Sequence, residues 1–385
     1  MSPRLNSNFN AQNFLEKHWS KSPAFLPKLI SIEDPISPEE LAGLACEEFI
    51  ESRLVTNYDQ RSLTHGPFSE EQFTSLPDNN WTLLVQSVDL YKDEIKALKS
   101  LFQFLPNWLL DDVMVSYAVP GGGVGPHFDH YDVFLIQGEG SRLWRVGEKC
   151  DPTTRVDTSS GLSLLQDTKL AKEFLLEQGD VLYLPAHYAH WGEANTKSIC
   201  YSIGFRGPSQ SEMIEGLGAA ISQKMSPFDR FINNPEGHVT ENPAKISNES
   251  LLSAYQITQS KLDNYEEFCR WFGASMTASR NPDLFEERDV TRTFLQIKSR
   301  VTDGADIGFN PVSRRAYCEL VDSDWVLVFV DGEAYKLPRK HLSLISEFCS
   351  TSACLTNIIN AINEKGFATM IVALVKKGSI QVLTG

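Results

Sequence analysis

The sequence has few cysteines, and none of them are spaced to bind a metal. Seven are scattered over 385 residues without any C-x-x-C motif. A disulfide framework and a zinc ribbon both need closely spaced cysteines, so the pattern argues against both. We expect most of these thiols to be reduced and buried. They are Cys46, Cys150, Cys200, Cys269, Cys318, Cys349 and Cys354.

Long apolar runs are also missing from the chain. No stretch of eighteen or more consecutive apolar residues occurs, so we predict no transmembrane helix. The first residues lack the apolar segment of a secretory signal, and we therefore expect a cytoplasmic protein. An apolar content of 42% and a charged content of 22% are typical of a globular chain, here long enough for two or three domains.

Positive charge is scarce. Lys and Arg number 35 against 50 Asp and Glu, a net charge of −15. Such a surface repels nucleic-acid phosphates and attracts a basic partner, although the same charge also serves solubility alone. Residues 286–385 contain twelve Lys and Arg and twelve Asp and Glu, without the basic stripe of a DNA-binding module. We therefore predict no direct nucleic-acid binding. The small basic clusters at 314–315, 338–340 and 376–377 are expected to be solvated or to contact protein.

The first part of the chain mixes helical and strand patterns. A helix is predicted to start after Ser37, an N-cap with Glu40 as its capping-box partner. The next predicted elements are a strand from Trp81 to Val88 and a helix that stops near Pro106.

The pattern changes at about residue 111. Up to residue 207, short apolar runs such as "VMVSYAV", "VLYLP" and "SICYSIGFRG" alternate with glycine-rich turns, which is typical of an all-β sandwich or barrel. Residues 209–285 show helical periodicity, with a predicted loop over 233–245. In residues 286–385 we predict strands over "WVLVFVDGEAYKLP" and "TMIVALVKKGSIQVL" and helices over "LSLISEF" and "LTNIINAINEKG". This order is similar to a winged helix.

The segment "HFDH" is a candidate for metal binding. Side chains alternate along a strand, so His127 and Asp129 would point the same way and His130 the opposite way. A third ligand would come from "PAHYAH", where spacing alone does not separate His187 from His190. Two histidines and one carboxylate on one face are typical of non-haem Fe(II) oxygenases. Zinc would more often be held tetrahedrally.

Two neighbouring features support a site here. Glycines at 121, 122, 123 and 125 precede His127, as expected where the backbone turns sharply or approaches a ligand closely. Arg142 follows fifteen residues after His127, and a buried arginine needs an anion. A dicarboxylate such as 2-oxoglutarate would supply it through a bidentate contact. The alternative is a surface pair with Glu139 or Glu148.

These segments together resemble a known family. "GGGVGPHFDHYDVFLIQGEGSRLWRVG", followed by "GDVLYLPAHYAHWGEA" and "YSIGFRGP", is similar to the JmjC-type ribosomal oxygenases, in particular the bacterial group that hydroxylates an arginine of large-subunit ribosomal protein sixteen. The resemblance is dense over residues 110–208. It implies an α+β fold with a double-stranded β-helix (jelly-roll or cupin) domain at 1–208, whose core is 111–207. It also implies a helical dimerisation segment at 209–285 and a winged-helix-like domain at 286–385.

The resemblance also implies roles for particular residues. Fe(II) would be bound by His127, Asp129 and His190, with His187 outside the site and His130 on the solvent side or behind the ligands. Arg142 would bind the far carboxylate of 2-oxoglutarate. Ser116 and Ser202 would contact the co-substrate through their hydroxyl groups. Dioxygen would be the second co-substrate, and a basic ribosomal protein the substrate of a homodimeric enzyme.

Other interpretations remain open at this stage. The substrate could instead be a histidine of a ribosomal protein, or the enzyme could demethylate another basic protein. A cupin-type metal enzyme that does not use 2-oxoglutarate and a non-catalytic binding module are further alternatives. Candidate substrate contacts close in sequence are Tyr117, Tyr131, Asp132 and Glu193.

Overall fold

The computed structural model describes residues 3–58, 61–232, 242–279, 282–285, 293–350 and 353–382. The chain divides into two compact units, Met1–Gly207 and Pro208–Gly385. No helix among the described residues is long and apolar enough to span a bilayer.

The first unit combines strands with short helices. Its strands are β1 (Arg4–Leu5), β2 (Ala24–Leu26), β3 (Ile30–Ser31), β4 (Ser52–Asn57), β5 (Arg61–His65), β6 (Trp81–Val85), β7 (Leu110–Ala118), β8 (Asp132–Gln137), β9 (Ser141–Lys149), β10 (Val156–Asp157), β11 (Leu164–Leu165), β12 (Leu170–Glu177), β13 (Val181–Leu184), β14 (Tyr188–Ala194) and β15 (Ser198–Phe205). Its helices are α1 (Ala11–Lys17), α2 (Pro38–Ala45), α3 (Glu70–Thr74) and α4 (Asp93–Ser100).

Two antiparallel sheets organise this unit. Within the described residues, the major sheet has eight strands in the order β2-β13-β8-β15-β7-β6-β4-β5, and the minor sheet has three in the order β12-β9-β14. One hydrophobic cluster combines residues of β8, β13 and β15 with residues of β9 and β12, so the two sheets face each other. This α+β arrangement around a large antiparallel sheet is consistent with the expected jelly-roll fold.

Strand β8 illustrates why the apolar runs of this region are continuous. Val133 and Leu135 point into the space between the two sheets, whereas Phe134 and Ile136 point to the opposite face of the major sheet. That outer face is covered by helices, with Phe14 of α1 and Phe102 after α4 packed on Phe134 at ring-centroid distances of 5.6 and 4.5 Å. A sheet that is buried on both faces needs apolar residues at successive positions. Each such fully buried phenylalanine contributes about 1.5–3 kcal/mol.

The local predictions for the first unit are partly confirmed. The helix after Ser37 forms with its capping box, because the Ser37 hydroxyl accepts from the N–H of Glu40 and the Glu40 carboxylate accepts from the N–H of Ser37. The strand predicted to reach Val88 ends at Val85. The backbone of Ser87 is left-handed (φ 55°), held by its bonds to the Asp112 carboxylate.

The helix predicted to stop near Pro106 ends at Ser100. The residues after it turn inward, and Phe102 and Leu105 are buried in the core instead of continuing a helical stripe.

The second unit contains helices and two small sheets. Its helices are α5 (Gln210–Ser222), α6 (Asn248–Leu262), α7 (Tyr265–Thr277), α8 (Phe294–Thr302), α9 (Leu342–Cys349), α10 (Leu355–Ala361) and α11 (Lys365–Lys377). Its strands are β16 (Ile307–Phe309), β17 (Arg315–Glu319), β18 (Trp325–Val330), β19 (Glu333–Pro338) and β20 (Ile380–Val382). The loop predicted at 233–245 lies largely outside the described residues.

One prediction for this unit is wrong. The segment "TMIVALVKKGSIQVL" was expected to be a strand, but most of it belongs to helix α11 and only its end forms β20. The buried residues of α11 recur at helical spacing, and an N-cap at Glu364 and a left-handed C-cap at Gly378 bound it. The buried face consists of Phe367, Met370, Ile371, Leu374 and Val375.

Candidate metal centre

His127 and His190 lie opposite each other in an isolated antiparallel bridge. The N–H of His127 donates to the carbonyl of His190 at 3.0 Å, and the N–H of His190 donates to the carbonyl of His127 at 2.8 Å. His127 belongs to the loop between β7 and β8, and His190 to strand β14. Residues that are paired in this way project their side chains to the same face. The ring centroids are accordingly 4.3 Å apart.

Both imidazoles are oriented by carbonyl oxygens. Nδ1 of His127 lies 2.8 Å from the carbonyl of Gly125, and Nδ1 of His190 lies 2.8 Å from the carbonyl of Tyr188. A carbonyl only accepts hydrogen bonds, so each Nδ1 carries the proton. In the neutral form of either ring the lone pair is therefore on Nε2, the atom that remains for a metal.

Asp129 completes the cluster. Its Oδ2 lies 3.6 Å from Nε2 of His190, and the candidate ligand atoms of the three residues all lie within 4.8 Å of one another. No second cluster of this kind occurs in the described part of the chain. His127 and Asp129 do share a face, as predicted, but their segment forms only a single bridge and not a regular strand.

The electrostatics of His190 suit metal binding. Burial is the main reason why the pKa of His190 is lowered to about 4, and the positive charge of a protonated His127 would lower it as well. The Asp129 carboxylate acts in the opposite direction. The ring is therefore neutral at physiological pH, which is the form that binds a metal ion.

His130 and His187, the other two candidate histidines, lie outside the cluster. Nδ1 of His130 lies 3.1 Å from Nε2 of His187, so these rings bond to each other. The structure therefore brings His190, and not His187, together with His127 and Asp129.

The three candidate ligands line a cavity of about 410 Å³. Apolar walls come from both sheets and from the segment around Leu162. Polar groups of this cavity include Ser116, His127, Asp129, Tyr131, Arg142, His190 and Ser202.

Arg142 lies in the wall of this cavity and is only 5% exposed. Its Nε donates to Ser198 Oγ at 2.9 Å and its Nη1 to Ser116 Oγ at 2.8 Å. Its Nη2 donates to the carbonyls of Ser116 and Ser198 at 2.9 and 3.0 Å. Burial lowers its pKa, but a guanidinium remains protonated.

The alternative that Arg142 pairs with Glu139 or Glu148 at the surface is therefore wrong. Among the described residues, neither Glu139 nor Glu148 forms an ion pair with it, and its positive charge faces the cavity without a carboxylate partner. Sequence reasoning missed Ser198, which binds Arg142 from strand β15. Its strand position carried no signal that distinguishes it from a structural serine.

The glycine-rich loop before His127 is held by side chains that sequence reasoning also missed. Nδ2 of Asn57 donates to the carbonyl of Gly123 at 2.9 Å, and Oδ1 of Asn57 accepts from Nε of Arg61 at 2.8 Å. A Cβ at Gly123 would come within 2.1 Å of the carbonyl oxygen of Gly192, and one at Gly125 within 2.4 Å of the Arg61 guanidinium. Gly123 is thus needed because backbone packs directly on it, whereas Gly125 is required by its left-handed backbone, with φ +103°.

Comparison with known proteins identifies the family. Residues 97–213 match the JmjC domain. The chain is 39% identical over 373 residues, 96% of each chain, to the ribosomal protein uL16 3-hydroxylase of Escherichia coli strain K12. The chain belongs to the JmjC-domain ribosomal oxygenases. It is also 32% identical to a probable ribosomal oxygenase of Haemophilus influenzae, covering 83% of this chain and 80% of that protein.

A solved structure of the same family covers the whole chain. The Escherichia coli ribosomal oxygenase in complex with cobalt and 2-oxoglutarate superposes with a TM-score of 0.83 at 32% identity, covering 100% of both chains. The predicted family membership is therefore confirmed.

The cluster generates a prediction for metal binding. The Asp129→Ala substitution removes the only carboxylate of the cluster, so we expect Co(II) affinity to fall by more than about 100-fold. Loss of a residue that merely hydrogen-bonds to a metal ligand already lowers metal affinity about 10–100-fold. Absorbance titration with Co(II) under anaerobic conditions measures the affinity. The matched control is Asp167→Ala, which removes an exposed carboxylate and should bind Co(II) normally. Stoichiometric tight binding by Asp129→Ala would contradict the assignment.

Proposed function

We propose that this chain is an Fe(II)- and 2-oxoglutarate-dependent hydroxylase that acts on an arginine side chain of a large-subunit ribosomal protein. The observation that carries the proposal is one cavity that contains both a His-Asp-His cluster and a buried guanidinium, which has no carboxylate partner among the described residues. The cobalt and 2-oxoglutarate complex of the Escherichia coli relative and the name of the uL16 3-hydroxylase support it.

Three residues would hold the iron. His127 and His190 would each provide Nε2, because Nδ1 of each ring is engaged by a carbonyl. Asp129 would provide a carboxylate oxygen. Fe(II) fits this donor set, since two imidazoles and one carboxylate leave coordination positions open for co-substrates. When bound, Fe(II) with 2-oxoglutarate and dioxygen supplies the oxidising power to insert one oxygen atom into a C–H bond, with succinate and carbon dioxide as the other products.

Arg142 would bind the carboxylate of 2-oxoglutarate that is remote from the iron. Four of its five N–H groups are engaged by Ser116 and Ser198, which orient the guanidinium and leave one N–H of Nη1. We therefore expect one charge-assisted hydrogen bond and not the bidentate contact predicted from the sequence. Ser116 acts through Arg142 in this proposal, and Ser202, which also lines the cavity, would contact the co-substrate directly.

The charge of the first unit suits a basic protein substrate. Residues 1–207 contain 17 Lys and Arg against 28 Asp and Glu, so this unit carries −11 of the total net charge of −15. Long-range attraction of this kind increases the rate at which a basic partner is encountered.

Among the candidate substrate contacts, Tyr131 is the one that lines the cavity. Burial raises its pKa above the usual range, so its hydroxyl stays protonated and can donate. Asp132 accepts from the hydroxyl of Tyr183, and Glu193 forms an ion pair with an arginine of β9. Tyr117 packs on the outer face of the major sheet. We therefore assign the substrate contact to Tyr131.

Mass spectrometry of ribosomal proteins tests the proposed reaction. Bacterial ribosomal proteins are incubated with the enzyme, Fe(II), 2-oxoglutarate and oxygen, and we expect a gain of one oxygen atom on an arginine of uL16. The Asp129→Ala variant is the control and should produce no gain. A gain on a histidine would redirect the substrate assignment, and loss of methyl groups would indicate a demethylase. If 2-oxoglutarate and metal bind but no ribosomal protein is modified, the ribosomal substrate is wrong.

A second prediction separates this proposal from a metal enzyme that does not use 2-oxoglutarate. Replacing Arg142 by Gln removes the buried charge, so we expect 2-oxoglutarate to bind about 10- to 150-fold more weakly, as for a lost charge-assisted hydrogen bond of about 1.5–3 kcal/mol. Calorimetry on the Co(II) protein without oxygen measures this affinity, and Co(II) affinity itself should not change. Arg155→Gln, at an exposed arginine, is the matched control. Equal 2-oxoglutarate affinity in both variants would contradict the role.

We further propose the three-part division expected from the sequence: an oxygenase domain at 1–208, a helical dimerisation segment at 209–285 and a winged-helix-like domain at 286–385. Exposed apolar side chains in the helical segment support the homodimer, including Ile214 at 74% and Phe228 at 93% exposure. On helix α6 they are Leu251, Leu252, Tyr255, Ile257 and Leu262. Such a concentration is typical of a protein–protein interface.

Two residues of the basic clusters in the winged-helix-like domain pair with acidic groups. Arg339 forms an ion pair with Glu319, and Lys377 bonds to Glu333 at 3.2 Å. These pairs support the prediction that this domain does not bind nucleic acid. The expected cytoplasmic location stays a prediction.

Light scattering after size-exclusion chromatography tests the dimer. We expect the full chain to have the mass of a dimer and the Leu251→Glu/Tyr255→Glu variant that of a monomer, because two charges would enter an apolar interface. Gln256→Glu, an exposed polar position on the same helix, is the matched control and should remain dimeric. A monomeric mass for the unmodified chain would contradict the proposal.

A further inference from the structure

We propose that His130 and His187 are positioning residues, which hold the loop that carries Asp129 in its metal-binding conformation through the hydrogen bond between their rings. The inference rests on the metal site in the proposed function. It concerns two histidines whose side chains do not belong to the candidate metal cluster.

The backbone of His187 connects this loop to the minor sheet. Its N–H donates to the carbonyl of Asp129 at 2.7 Å, and its carbonyl accepts from the N–H of Cys150 at 2.7 Å. Cys150 follows directly after strand β9. The main chain at His187 therefore holds the carbonyl of one candidate ligand at a fixed distance from the sheet that also carries His190.

The side chains add a second connection at the same place. Nδ1 of His130 lies 3.1 Å from Nε2 of His187. Phe128 packs edge-on against both rings, at centroid distances of 5.3 Å to His130 and 6.1 Å to His187. Asp129 thus lies between two residues that both contact the ring of His187. This restricts rotation of the loop about Asp129, which would move its carboxylate away from the histidines.

The backbone conformation of His187 is unusual for a residue other than glycine. Its φ is +69°, in the left-handed region that glycine adopts without strain and other residues rarely adopt. A strained residue persists where the surrounding structure requires it. The two main-chain bonds of His187 hold this conformation, and in it the ring reaches His130.

Three variants separate positioning from folding. His187→Gly removes the ring but relieves the backbone, so its melting temperature should be unchanged or higher. His130→Ala removes the partner ring. His130→Asn places an amide where Nδ1 was and can keep the bond. Anaerobic absorbance titration with Co(II) gives the affinity, and the visible Co(II) bands report the coordination.

We expect His187→Gly and His130→Ala each to weaken Co(II) binding about 10-fold, the effect typical of losing a partner that orients a ligand. The double variant His187→Gly/His130→Ala should bind Co(II) no more weakly than either single variant, and His130→Asn should bind nearly as tightly as the unmodified protein. Unchanged affinity in His187→Gly, or equal weakening in His130→Asn and His130→Ala, would overturn the inference. If the unmodified protein does not bind Co(II), the proposed metal site itself is wrong.

Discussion

The backbone bridge between His127 and His190 is the contact on which the candidate site depends. It joins a loop between two strands of the major sheet to a strand of the minor sheet, so both imidazoles face the space between the sheets. Asp129 follows two residues later and reaches the same point. Without this bridge His190 would belong to a separate part of the fold from His127 and Asp129. The carbonyls that orient both rings then ensure that Nε2 faces inward.

Arg142 extends the same arrangement into the minor sheet. On β9 it pairs with Ala194 of β14, in the register that also pairs Val146 with His190. The metal cluster and the guanidinium are therefore held by adjacent strands at a fixed separation. Hydroxyl and carbonyl groups of two serines accept from four of the five N–H groups of the guanidinium without neutralising its charge. A cation buried in this way favours an anionic ligand in the cavity, because burial makes an uncompensated charge costly.

The parts of the molecule outside the site differ in what they contribute. The outer face of the major sheet is covered by helices and aromatic side chains, and this keeps the barrel strands in place. The second unit has its own core, to which α11 contributes its buried stripe. The negative charge is concentrated in the first unit, where a basic substrate would have to arrive. Exposed apolar groups are instead frequent in the helical segment, for which we propose a role in dimerisation.

The sequence by itself determined the all-β character of residues 111–207, the capped helix after Ser37 and the pair His127 and Asp129, because these follow from local periodicity, capping and spacing. Its resemblance to a family supplied His190. Only the tertiary structure decided that His187 turns away, that Arg142 has no carboxylate partner and that Ser198 binds it. These outcomes depend on strand register between distant segments, which local patterns do not encode. The error at α11 has the same origin, since a short apolar run fits a buried helix as well as a strand until its neighbours are known.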